Sequence, residues 1–157
     1  MTSEFFPRVE ELIPHSGPMC LLDRVIEHSL EHTVCAVDPG GSSLLARIDG
    51  SVPAWVALEY MAQCIAVHGG LVAQSRGEGQ RPGLFLGSRR VRFDAIDFAP
   101  GDELLVSARH HLGERGLVAF DCTVARNSDT APLVHGRLNV FIVESWHELL
   151  GEGATDG

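Results

Sequence analysis

The stretch Gly50–Gly70, GSVPAWVALEYMAQCIAVHGG, decides the fold. Pro53 stands just ahead of a run that predicts a helix from about Ala54 to Gln74, and proline is compatible with a helix start. Ala54, Ala57, Ala62, Ala66 and Ala73 favour helix and keep the rod slim. Trp55, Val56, Leu58, Met61, Ile65, Val67 and Leu71 place apolar groups nearly all round it. A helix of that kind is buried rather than laid on a surface. Its one carboxylate is Glu59. One helical turn away lie Trp55 and Val56 on one side and Ala62 and Gln63 on the other. Apolar surroundings disfavour the charged form, so the expectation is a raised pKa, suited to a general acid near neutrality. A buried glutamate with a purely structural hydrogen bond fits the position equally well.

Around this helix the chain reads as strands. Upstream, TSEFFPRVEELIPH predicts a short helix ending near Pro14, with Ser3 as cap and Phe6, Val9 and Leu12 on one face. MCLLDRVIEHS and HTVCAVDPGG form a strand pair closed by the DPGG break at 38–41. Downstream of the loop 75–83 come LFLGSRRVRF, ELLVSARHHL, LVAFDCTVAR and LVHGRLNVFIV, separated by APGD, GERG and NSDTAP. ESWHELL closes as a short helix, and the tail 151–157 frays. One buried helix and a run of antiparallel strands make an α+β class, read as a single domain over 1–150. A strongly curved sheet wrapped round the helix would supply much of its cover, and a second protomer the rest.

Composition narrows the function. The 157 residues suit one domain with a sizeable core, and 45% are hydrophobic. A net charge of −9 gives no general attraction to nucleic acid or an anionic membrane. No run is read as a membrane span, which needs about 20 apolar residues. Cys20, Cys35, Cys64 and Cys122 form no CxxC pair and read as small core residues in a reducing compartment, so the expectation is a cytoplasmic protein. His28 and His32 have metal-pair spacing but fall on strand and turn, so neither a metal nor another cofactor is expected. Two further features bear on chemistry. The helix start near Trp55 and Val56 offers N–H groups and a positive dipole end, a place for a thioester oxygen that becomes an enolate. RRVR, with Arg89, Arg90 and Arg92, predicts Arg90 and Arg92 on one strand face, either a solvated face or a seat for an acidic partner.

Three segments in order resemble the 3-hydroxyacyl-acyl-carrier-protein dehydratases of the FabA/FabZ type: ELIPHSGPMCLLDRVIE (11–27), VPAWVALEYMAQ (52–63) and RVRFDAIDFAPGDELLV (90–106). VPAWVALEYMAQ, GLFLGSRR and LNVF are most similar to the ApeP-like branch linked to aryl polyene pigments. The resemblance implies a hotdog fold and dehydration of 3-hydroxyacyl thioesters in fatty acid or polyketide synthesis. Glu59 would be the acid/base group, Gln63 would orient it, and amides near Trp55 and Val56 would hold the thioester oxygen. The substrate would be carried by an acyl carrier protein or coenzyme A, with the arginines docking the carrier, in a homodimer or heterodimer.

One departure is large. The family pairs its helix carboxylate with a histidine in an upstream loop; here that position is Leu45, and no histidine occurs between His32 and His68. Asp49, in the same loop, and His15 are possible stand-ins. The alternatives are a partner subunit that leans on a histidine-containing dehydratase chain, or a thioester hydrolase that needs only a carboxylate and water.

Overall fold

The computed structural model describes residues 5–41 and 44–144. Chain order gives helix α1 (Val9–Leu12), strands β1 (Arg24–His28), β2 (His32–Val37) and β3 (Val52–Pro53), helix α2 (Ala57–Ser75), and strands β4 (Gly83–Phe93), β5 (Asp97–Phe98), β6 (Leu104–Glu114), β7 (Leu117–Arg126) and β8 (Val134–Ile142). Six strands make one antiparallel sheet in the order β1-β2-β6-β7-β8-β4; β3 and β5 form a separate two-residue ladder. The sheet packs against α2 mainly through β2, β6 and β7. This is the α+β class that the one buried helix and the run of strands predict, and the hotdog arrangement that the resemblance implies.

Strict alternation builds the core. In β7, Val118, Phe120, Cys122 and Val124 are buried while the residues between them are not. They meet Met61, Cys64 and Val67 of α2 within one apolar cluster that also holds Leu104, Val106 and Leu138. Each such side chain taken from water stabilises the fold by about 1.5–3 kcal/mol. The run Ala54–Ser75 is long and apolar enough to cross a membrane, which corrects the expectation that no such run exists. It lies inside the domain instead, 67% buried.

Three details depart from the sequence reading. Helix α1 is a single turn with no side-chain cap, and Phe6 lies outside it. Pro7 excludes Phe6, because the residue before a proline is pushed away from helical angles. Ser3, ESWHELL beyond Glu144 and the tail fall outside the described residues. In β4, bulges occur at Phe85/Gly87 and at Arg89/Arg92. The second inserts one extra residue opposite Gly136, puts Arg90 at φ 55°, and lays Val91 where a Cβ on Gly136 would meet it at 2.8 Å. Arg89 and Arg92, opposite Arg137 and His135, therefore share a face, not Arg90 and Arg92.

The far end of α2 carries a histidine cluster. The Thr33 hydroxyl lies 2.8 Å from His28 Nδ1 and 2.9 Å from His68 Nδ1, and the His68 ring packs edge-on against His28 and Phe120. Burial, then the neighbouring His28, His110 and His32, lower the His68 pKa from 6.5 to about 4. The unfolded chain therefore takes up this proton first. Stability is complete above pH about 6.5 and is lost as pH falls through about 4, a contribution of about 3 kcal/mol. Urea unfolding as a function of pH checks this: the wild-type slope across that window should flatten in His68→Gln, and parallel slopes would refute the assignment.

Candidate active site

The site forms where the start of α2 meets the segment between α1 and β1. Leu12, at the end of α1, sits against Gly70 of α2 so closely that a Cβ there would lie 2.6 Å from the Leu12 carbonyl oxygen. Gln80 donates to that same oxygen. The chain then turns through Pro14 and His15 into a 3-10 turn, Gly17–Met19. Gln63, fully buried, holds the far side of this segment. Its Oε1 accepts from the Leu21 N–H at 2.9 Å, and its Nε2 donates to the Met19 carbonyl at 2.8 Å.

The same amide donates to Glu59 Oε1 at 3.0 Å, and His15 Nε2 lies 3.3 Å from that oxygen. Glu59, Gln63 and His15 are thus one constellation. Contact between Gln63 and Glu59 was expected from their spacing; His15, one of the two stand-ins named for the missing histidine, lies far from Glu59 in sequence and is brought beside it by the fold.

Glu59 is not buried as its sequence neighbours suggest. Its side chain is 40% exposed. The sheet covers most of α2 but leaves a stripe at helical spacing: Trp55, Leu58, Glu59, Ala62, Ala66 and Gly69 are all exposed or half-buried. Trp55 is 62% exposed, whereas Val56 is fully buried. The helix entrance is a 3-10 turn, Ala54–Val56, with Pro53 as N-cap; Ala54 N–H already donates to Ile96 across the β3–β5 ladder. Trp55 N–H stands in the first turn, where a helix supplies no acceptor of its own.

The other sequence candidates lie elsewhere. Asp49 is exposed and accepts from the Ser51 N–H at 2.9 Å and the Ser51 hydroxyl at 2.7 Å. Those bonds hold its carboxyl below the usual carboxylate range, and among the described residues nothing links it to Glu59. It caps a turn that Arg47 clamps onto Asp97. Leu45 packs against the core. Arg89, Arg90 and Arg92 are all exposed on β4, Arg92 paired with Asp94 at 3.4 Å. Cys35 and Cys64 are buried neighbours with their sulfurs 3.9 Å apart, and with Cys20 and Cys122 they are free thiols. Among the described residues no group of three or more His, Cys, Asp or Glu is placed to hold a metal.

A model of the ApeP-like family, ApeP dehydratase, matches residues 7–151. The chain belongs to the ApeP-like dehydratase family. A solved structure described as the dehydratase heterocomplex ApeI:P from Xenorhabdus doucetiae is 31% identical over 93% of this chain and 97% of that one, with a TM-score of 0.85. More distant likenesses share the fold alone. A hypothetical thioesterase with coenzyme A from Streptococcus pneumoniae TIGR4 is 18% identical over 76% of this chain and 84% of that one, at TM-score 0.57. The E. coli PaaI protein from the phenylacetic acid degradation operon is 11% identical over 74% and 80%, also at 0.57. No curated protein matches the sequence. In this member of the ApeP-like family one carboxylate, Glu59, lies on the uncovered stripe of α2.

Proposed function

We propose that this chain supplies the carboxylate half of a (3R)-hydroxyacyl thioester dehydratase, and that a second hotdog chain covers the α2 stripe and supplies the histidine. The carrying observation is the position of Glu59. It is fixed by Gln63 and His15, yet it lies on the one face of α2 that its own sheet leaves open. Leu84, Phe85 and Leu86 of edge strand β4 are exposed, and so are Trp55 and Ile96 at the helix entrance. Apolar side chains on an unpaired edge favour association. The likeness to a dehydratase heterocomplex supports a second hotdog chain as the occupant.

The chemistry follows from what each group can carry. A base removes one C2 proton beside the thioester carbonyl, whose oxygen gains charge near the α2 entrance at Trp55. The C2–C3 double bond forms as the C3–O bond breaks. Glu59 delivers its proton to the departing hydroxyl, which leaves as water. The C2 proton ends on the partner's imidazole, and exchange with solvent resets both groups. Leu45 packs against the core where the family has its histidine, so the base comes from outside this chain. Exposed Arg89 and Arg90 suit an acidic acyl carrier protein, and the family supports an aryl polyene intermediate as its cargo.

Product analysis tests the reaction type. Incubated with the complex, a 3-hydroxyacyl carrier should lose water and remain a thioester, detected by mass. Release of free carrier thiol without dehydration would make the protein a hydrolase instead.

A further inference from the structure

We infer that Glu59 exchanges its proton through Oε2, and that His15 is a positioning residue that reserves Oε1 by donating to it from Nε2. This rests on the reading above that Glu59 is the proton-transfer group.

The orientation of Gln63 is fixed independently of Glu59. Its oxygen must face the Leu21 N–H, which turns its NH2 toward the Met19 carbonyl and Glu59 Oε1. Oε1 thus has one donor already. The ring of His15 supplies the second. His15 Nδ1 is buried and has no hydrogen-bond partner, while Nε2 faces Oε1 at 3.3 Å. A proton on Nδ1 would leave a buried N–H without an acceptor, and would set the Nε2 lone pair against the carboxylate oxygen. A proton on Nε2 avoids both. The neutral Nε2–H ring is the form that fits.

Two consequences follow. The single proton of His15 is already committed to Glu59, so His15 does not replace the missing base. Oε2, without a hydrogen bond among the described residues on a side chain 40% exposed, is the oxygen left for substrate. As Oε2 loses its proton to the departing hydroxyl, the charge that develops is shared with Oε1, to which Gln63 donates and beside which His15 Nε2 stands at 3.3 Å. His15 itself is held by the chain on both sides: Leu12 is seated on Gly70, and Met19 is bound to Gln63.

The tautomer is read from long-range proton–nitrogen NMR spectra of the full chain labelled with nitrogen-15. Nε2 protonated and Nδ1 bare near neutral pH is the expected result; a proton on Nδ1 overturns the inference. In the active complex, His15→Leu should lower kcat on the order of 10-fold to 100-fold through loss of alignment, with KM little changed. His15→Gln keeps an N–H donor and should recover most of that loss. A wild-type kcat in His15→Leu, where Glu59→Gln is inactive, overturns the role of His15 alone. An active Glu59→Gln overturns the parent reading instead.

Discussion

Glu59→Gln is expected to lower kcat for dehydration on the order of 1,000-fold, the size of contribution that positioned acid–base groups make. Binding should change little, because the amide keeps the shape of the carboxyl and its oxygen can still accept from Gln63. Folding should be unaffected as well, since the side chain is 40% exposed. Steady-state rates and a thermal melt on the same preparation check all three. Undiminished turnover would remove Glu59 from the reaction; a large fall in melting temperature would make it structural.

Gln63→Leu should damage both stability and activity. The leucine fills the volume but leaves the buried Leu21 N–H and the part-buried Met19 carbonyl without their partner. One buried and one part-buried polar group left unmet cost about 3 kcal/mol together. For a domain of this size that corresponds to a drop of about 10 °C in melting temperature. Glu59 also loses its fixed donor, so the folded fraction should turn over more slowly than wild type. Gln63→Glu is the informative companion, because its oxygens cannot donate to the Met19 carbonyl or to Glu59 when ionised. Calorimetry together with kcat on the folded fraction separates the two effects.

Much of the architecture was legible because it rests on period. Alternation located the long strands, and the apolar run from Ala54 located α2. The two-residue ladder β3–β5 carries too short a pattern to be read. Neither bulge in β4 has a hydrophobic signature, so the expectation of Arg90 and Arg92 on one face failed. The site was half legible. Gln63 one turn from Glu59 is visible in any helical projection, whereas His15 reaches Glu59 only because Leu12 and Met19 are pinned against α2. Expected burial of Glu59 failed for a related reason. An apolar helix surface shows that something covers it, but not whether the cover is the same chain. Here the covered faces meet the sheet, and the stripe from Trp55 to Gly69 does not.

The central claim, that Glu59 belongs to a site another chain completes, meets its most direct test in one mixing experiment. Dehydration of a 3-hydroxyacyl carrier is measured with this chain alone, with a histidine-containing hotdog chain from the same source alone, and with the two co-expressed. The account predicts a co-purifying complex that dehydrates far faster than either chain by itself, and loss of that gain with Glu59→Gln. Full activity from this chain alone, or a complex indifferent to Glu59, would contradict it.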